Sequence, residues 1–260
     1  MHDLTARSTA LRPLLEAPGE AGVFLDFDGT LAEITDDPAD AEPLDGAVPA
    51  VEALAERYAR VGVLSGRPVS FLQRFFGGSL LLAGLDGLEV VQGAQRREHP
   101  SGGVWREVVD DVAAVSRARG PEGMRVESKG ISLTLHFRGR PDIEGAVREW
   151  AQQQARRSGL CWRPARMSVE LHPPIPADRG TAVLELAAGL GTVCFVGDDH
   201  ADLRAFDALD ELEGTGVRVA RVAVRSSGEA AGLEERADVV LDGPREVLAL
   251  IEHLCDHPRG

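Results

Sequence analysis

The chain has 260 residues, 43% hydrophobic and 27% charged, which is enough apolar material to bury a core and argues against long disorder. A formal net charge of −14 repels phosphate polymers and anionic bilayers, so nucleic-acid and membrane-surface binding are disfavoured, while a small anionic substrate at a locally positive site is not. No apolar run reaches the roughly 18 residues of a membrane span.

Met1-His2-Asp3-Leu4 lacks the basic and apolar regions of a signal peptide, so a cytoplasmic protein is expected. Cys161, Cys194 and Cys255 are odd in number and far apart. They fit neither a disulfide framework nor a CxxC metal site and read as small buried hydrophobes in a reducing compartment. Lys129 is the only lysine; every other basic residue is arginine.

Residues 4–16 carry Leu4, Leu11, Leu14 and Leu15 at helical spacing. Val23-Phe24-Leu25 then runs into Asp26-Phe27-Asp28-Gly29-Thr30, the pattern of a buried strand with a loop at its carboxyl end. Residues 46–58 read as a helix, 60–64 as a second strand ending in Ser65-Gly66-Arg67-Pro68, 68–76 as a helix, and 80–85 as a third strand. The texture changes near Trp105: helix over 105–118, a hairpin over 124–138 around Lys129-Gly130, helix over 141–158, and strands over 160–163 and 167–172. Trp105, Trp150 and Trp162 all fall there and are expected to build its core. After Pro173-Pro174 the first texture returns: helix 181–190, strand 193–196 ending in Gly197-Asp198-Asp199, helix 201–209, strands 217–224 and 237–242, and helix 245–255.

This order predicts an α/β fold: a doubly wound, mostly parallel, Rossmann-like core sheet over 1–104 and 173–260, with an inserted α+β cap domain over 105–172. The junction is expected to be a hinge and cleft.

Ligands of an open parallel sheet sit at the carboxyl ends of its strands. Those ends carry Asp26-x-Asp28-x-Thr30, Ser65-Gly66-Arg67 and Gly197-Asp198-Asp199-x-x-Asp202. Crowded carboxylates raise one another's pKa unless a cation neutralises them, and Mg²⁺, a hard ion with oxygen ligands, suits such a set. A single acidic strand end reads better as a helix cap or a turn; three in matching topological places do not.

Val23–Leu31, VFLDFDGTL, resembles motif I of the haloacid dehalogenase-like phosphohydrolases. Ser65 resembles motif II, and Gly197-Asp198-Asp199-x-x-Asp202 motif IV; the insert sits where a C2-type cap would. More narrowly, LSGRP at 64–68, GLDGLEV at 84–90, VESKGISLTLHFR at 126–138 and VELHPP at 169–174 are similar to trehalose-6-phosphate phosphatases. The resemblance implies hydrolysis of trehalose 6-phosphate to trehalose and phosphate through an aspartyl phosphate. Asp26 would be the nucleophile and Asp28 the acid and later base. Ser65 would hydrogen-bond the transferring phosphoryl group, and Thr30 would order the loop. Mg²⁺ would be held by Asp26, the main-chain carbonyl of Asp28 and Asp198, with Asp199 and Asp202 as the remaining candidates.

Motif III departs from the pattern: a lysine is expected, and Asp178-Arg179-Gly180 stands in its place. Arg179 keeps the charge but is not equivalent to lysine. Ala201 and Leu203 replace the Thr and Glu often seen beside motif IV. Arg67 is a substrate-binding candidate. Glu127, Lys129 and Glu170 match the cap residues that hold glucose hydroxyls, and Arg166 matches a frequent lysine position. Glu127 and Lys129 flank one serine, so strand alternation would put them on one side, and likewise Arg166 and Glu170, four apart. Without the resemblance these charges read as a solvated face. Rival functions are a phosphatase for sucrose 6-phosphate, mannosyl-3-phosphoglycerate, or a flavin or sugar monophosphate, and a non-catalytic phosphosugar sensor. Functional coupling to a trehalose-6-phosphate synthase is a further expectation.

Overall fold

The computed structural model describes residues 4–35, 38–78, 80–165, 167–226 and 232–256. The chain divides into two compact units, Met1–Arg97 with Ala177–Gly260, and Glu98–Pro176.

The first unit is built on eight strands: β1 (Ala21–Leu25), β2 (Arg60–Leu64), β3 (Leu81–Gly84), β4 (Glu89–Gln92), β5 (Gln95–Glu98), β10 (Thr192–Gly197), β11 (Arg218–Val224) and β12 (Val239–Leu241). Their order is β12-β11-β10-β1-β2-β3-β4-β5. β1 lies centrally, parallel to both neighbours, with Val23 opposite Cys194 on one side and Val61 on the other. β4 runs antiparallel to β3. Both faces of the sheet are covered, which is why β1 is an unbroken apolar run.

Side-chain alternation still sorts that run into two cores. Val23, Leu25, Cys194 and Val196 join Leu11 and Leu14 of α1 (Leu4–Glu16), Val51 and Leu54 of α2 (Ala47–Arg57), and Val247 and Ile251 of α9 (Pro244–Asp256). Phe24, Val193 and Phe195 join Val183 and Leu186 of α6 (Arg179–Leu186) and Phe206 and Leu209 of α7 (Asp202–Gly214). Burying each such side chain contributes about 1.5–3 kcal/mol, and the two layers clamp the sheet whose carboxyl edge carries the acidic loops.

The helix expected over 68–76 is only α3 (Val69–Leu72), because Arg74 and Phe75 donate three residues back, at 3.1 Å each, and the segment tightens into turns. Phe71, Phe75 and Phe76 then fold around Phe27 with ring centroids 5.5–6.2 Å apart. The strands β4 and β5 were not expected; at the sheet edge, Gln95–Glu98 is wholly polar and exposed, so no apolar alternation marks it. A short helix α8 (Leu233–Arg236) packs near β11 and was likewise unmarked.

The second unit holds α4 (Gly102–Arg119), α5 (Glu144–Ser158) and a sheet of β6 (Arg125–Ser128), β7 (Leu133–His136), β8 (Cys161–Ala165) and β9 (Ser168–His172) in the order β6-β7-β9-β8. All three pairings are antiparallel. Leu133, Leu135, Val169 and Leu171 pack with Val109, Val112, Val147 and Ala151 of the helices. Trp105 and Trp150 pack against this cluster, and Trp150 Nε1 donates to Ser116 Oγ at 3.0 Å. Trp162 is instead exposed on the edge strand β8 and builds no core. Cys161, beside it, is also exposed, against expectation, whereas Cys194 is buried; all three cysteines are free thiols. No helix among the described residues is long and apolar enough to cross a membrane.

Gly84, ending β3, lies against the loop that follows β2: a Cβ there would meet Val69 N at 2.4 Å and Arg67 O at 2.7 Å. Main chain on both sides cannot yield cheaply. Gly84→Ala is therefore expected to cost about 2 kcal/mol or more in denaturant unfolding, while Gly77→Ala, which meets nothing within 4 Å, stays within about 0.5 kcal/mol.

Candidate active site

β1 ends at Leu25, and Asp26 is anchored by its own N–H, which donates to Val196 O of β10 at 2.9 Å. The chain then turns tightly: Leu31 and Ala32 both donate to Phe27 O at 2.9 Å, and Gly29 donates to Ala32 O at 2.8 Å. Gly29 has φ +82, and a Cβ there would strike the Asp198 carboxylate at 2.0 Å. Glycine therefore serves twice, for the left-handed turn and for the approach of Asp198. Asp198 follows β10, and its loop is held by Asp202, the first residue of α7. Asp202 Oδ2 accepts the N–H groups of Asp198 and Asp199 at 2.9 and 3.0 Å. Asp199 Oδ1 in turn accepts from Ala201 N–H at 2.8 Å, and Asp199 itself is half-exposed.

Arg179 reaches this group from the start of α6. The preceding Asp178 caps the helix: its Oδ1 accepts from Thr181 N–H at 2.9 Å, while Thr181 Oγ1 accepts from Asp178 N–H at 2.9 Å. The helix thus begins two residues before the expected start, which puts Arg179 on its first turn. The Arg179 side chain is only 7% exposed. One terminal nitrogen lies 3.0 Å from Asp26 Oδ1, the other binds Asp202 and lies 3.4 Å from Asp199, and Nε lies 3.3 Å from Asp86. Asp86 is the member of this set that the sequence did not single out.

Burial pushes the Asp26 carboxyl well above the usual range; Arg179 opposes this, and Asp202, Asp198 and Asp199 add to it. Burial likewise raises Asp198 to about 8, with Ser226 and Arg179 opposing and Asp199 and Asp202 reinforcing. Asp202 rises to about 6, again from burial first. Burial alone would lower Arg179, but Asp202, Asp26, Asp199 and Asp86 outweigh it and hold the guanidinium charged.

Asp26, Asp198 and Asp202 can each place one oxygen within 4.8 Å of the others. Asp202 already serves two N–H groups and Arg179. Asp26 Oδ1 and both oxygens of Asp198 are buried and receive no hydrogen bond of ordinary geometry. With only Arg179, among the described residues, facing Asp26 Oδ1, at 3.0 Å, such donor-poor anionic oxygens in a dry place fit a hard divalent cation. The Thr30 hydroxyl is also buried without a hydrogen bond, while its N–H donates within the loop to Phe27 O at 3.3 Å.

Beside this cluster, Arg67 grips Asp28 as a fork, with Nε and a terminal nitrogen donating at 2.6 Å each. Its guanidinium also lies 4.2 Å over the Phe71 ring. Ser65 is buried, and its Oγ accepts from Arg67 N–H at 3.2 Å.

In the second unit, Glu127, Thr134, Glu170 and Arg163 stand directly opposite one another across β6, β7, β9 and β8. Their neighbours Leu133, Leu135, Val169 and Leu171 face the helices, so this row lies on the other face. Glu127 Oε2 meets His136 Nε2 at 2.8 Å, and Arg163 Nε donates to Glu170 Oε2 at 2.8 Å. Lys129 lies past the end of β6 in a turn, its N–H donating to Ser132 O at 2.8 Å, so strand alternation does not place it beside Glu127. Arg166 lies outside the described residues.

The trehalose-phosphatase family matches residues 24–238. The chain is 32% identical over 200 residues to the trehalose-phosphate phosphatase of Mycobacterium ulcerans (strain Agy99), covering 72% of this chain and 51% of that protein. It is 30% identical over 259 residues to that of Mycobacterium avium (strain 104), covering 92% and 64%. The chain thus spans about half to two thirds of these relatives' length. A trehalose-6-phosphate phosphatase related protein of known structure shares the fold, with a TM-score of 0.74 at 22% identity over 90% of this chain and 96% of that one. The match over most of the chain, a range that includes the acidic strand ends just described, places this chain in the trehalose-phosphatase family.

Proposed function

We propose that this chain is a Mg²⁺-dependent phosphatase that converts trehalose 6-phosphate to trehalose and phosphate. The observation that carries this is the buried Asp26 carboxylate, held at the end of a central parallel strand with Arg179 3.0 Å from one oxygen and Asp198 alongside. Family membership and the curated relatives support the same reaction.

An Asp26 oxygen attacks phosphorus, the bond from phosphorus to the sugar oxygen breaks, and Asp28 gives that oxygen its proton. Asp28 then takes a proton from the water that attacks the aspartyl phosphate, and phosphate leaves. Ser65 and the N–H groups around it donate to the phosphoryl oxygens. Arg179 offsets negative charge as nucleophile and phosphate approach. Mg²⁺ would sit on Asp26, Asp198 and the carbonyl of Asp28, supplying charge neutralisation for two anions that must meet. Asp202 and Asp199 serve by shaping the loop: Asp202 Oδ2 and Asp199 Oδ1 accept main-chain N–H groups, and Asp202 Oδ1 binds Arg179. Arg67 holds Asp28 in place by its fork, an alternative to direct substrate binding. Glu127, Lys129 and Glu170, with Arg166, take the glucose hydroxyls, where paired acceptors and donors suit vicinal diols. Such an enzyme consumes what a trehalose-6-phosphate synthase makes.

Asp26→Asn is expected to lower kcat by roughly a thousandfold or more with the fold retained, measured as phosphate release with Mg²⁺ and by circular dichroism. Glu127→Ala and Glu170→Ala are expected to lower kcat/KM for trehalose 6-phosphate by roughly ten- to a hundredfold each while sparing a small generic phosphate ester. Equal losses on both substrates would remove the sugar assignment, and full activity of Asp26→Asn would remove the mechanism.

The buried carboxylates also make stability pH-dependent. Asp198 and Asp202 are raised in the folded protein to about 8 and about 6, so the metal-free fold binds protons that the unfolded chain releases near pH 4. Their contribution is fully present below about pH 4 and is lost as pH climbs through the folded values. Chelator-treated protein should therefore lose thermal stability from pH 5 to 8, and Asp198→Asn should flatten the slope. Mg²⁺ should raise Tm more at pH 8 than at pH 5. A Mg²⁺ effect independent of pH, read by scanning fluorimetry, would contradict this account.

A further inference from the structure

The turn that follows β3 holds three successive residues in the left-handed region: Leu85 at φ +53, Asp86 at φ +55 and Gly87 at φ +97. Two of them are not glycine, and leucine is poorly suited to this conformation. Such backbone persists only where its surroundings hold it. Here they do, on two sides. Leu85 N–H donates to Arg67 O at 2.9 Å and Asp86 N–H to Ser65 O at 3.0 Å, so the turn is tied to the loop after β2. A Cβ on Gly87 would meet Ala182 Cβ at 2.6 Å, so the turn also lies against α6, three residues beyond Arg179. The result of this strained geometry is that Asp86 Oδ1 sits 3.3 Å from Arg179 Nε.

That contact uses a donor that lysine does not have. The three nitrogens of Arg179 address different carboxylates: one terminal nitrogen Asp26, the other Asp202 and Asp199, and Nε Asp86. A guanidinium is planar, so fixing Nε fixes the direction of both terminal nitrogens. Without Asp86, the side chain could rotate about its long stem and still satisfy Asp202 with either end. With it, one nitrogen is aimed at Asp26.

We propose that Asp86 is a positioning residue for phosphoryl transfer, orienting the Arg179 guanidinium toward Asp26 and matched to arginine at position 179. It acts through Arg179, whose Nε lies 3.3 Å from its Oδ1. The proposal rests on the phosphatase reading, and the test separates the two.

The test is a double-mutant cycle on the full chain with Mg²⁺, with trehalose 6-phosphate and p-nitrophenyl phosphate as substrates. Asp86→Asn should lower kcat roughly ten- to a hundredfold on both, with KM changed less than about threefold. Asp86→Gly relieves the left-handed strain while removing the carboxylate, so it should fold at least as well and show the same loss. In an Arg179→Lys background, Asp86→Asn should change kcat by less than about threefold, because the Nε partner is already gone. A second readout needs no turnover: the Arg179 Nε–H resonance, assigned by its absence in Arg179→Lys, should exchange with solvent at least about tenfold faster in both Asp86 variants. Full activity in folded Asp86→Gly, equal losses in both backgrounds, or unchanged Nε–H exchange would each overturn the inference while leaving the phosphatase intact. A wild-type chain inactive on both esters would instead sink the phosphatase reading, and with it this one.

Discussion

The site is governed by an imbalance of buried charge. Asp26, Asp198 and Asp202 are almost completely removed from water, and the one cation buried with them is Arg179, among the described residues. Desolvating a carboxylate is expensive, and removing the partner of a buried pair costs about 3–5 kcal/mol. Such a cluster does not stabilise a protein; it has to be borne. What bears it is the two-layer core on either side of β1 and β10, and the main-chain N–H groups of Asp198 and Asp199 that converge on Asp202. Two glycines complete the arrangement by yielding space: a Cβ on Gly29 would strike Asp198, and one on Gly197 would meet the Asp202 carboxylate at 2.4 Å.

The second unit handles charge differently. Its row of Glu127, Thr134, Glu170 and Arg163 runs across all four strands, and the acids are paired with His136 and Arg163 at the surface. Each pair joins a mostly buried side chain, His136 or Glu170, to a more open one, Glu127 or Arg163, so neither is sealed from water as the first unit's acids are. The first unit concentrates a few deeply buried charges, and the second spaces its charges along one partly open face.

How much of this was legible in the amino-acid order follows from range. β1 and β10 were readable because strands covered on both faces must be continuously apolar, and their acidic ends stand out against that run. The Asp178 cap was not used as a helix start, so α6 was expected to begin two residues late, although the box it forms with Thr181 is a local signal. β5 carries no apolar alternation to read. Lys129 was expected to continue the alternation of β6, but the turn at Gly130 ends the strand first. Asp86 was out of reach for a different reason. Its partner is 93 residues away, and its own dipeptide, Asp-Gly, is an ordinary turn signal whose local meaning hides the distant one.

An arginine-rich composition does not by itself account for Arg179. A surface arginine can replace lysine freely, but this side chain is 7% exposed and has a carboxylate at each of its three nitrogens. An ammonium is a single compact point of charge and cannot meet carboxylates arranged around a plane. It also sheds its proton more readily when buried, whereas a guanidinium stays charged in any folded environment. Where several desolvated acids must be held against one fixed positive group, arginine is the side chain that keeps both the charge and the directions. The surroundings of position 179, down to a strained turn that delivers Asp86 to Nε, are built to the shape of that group.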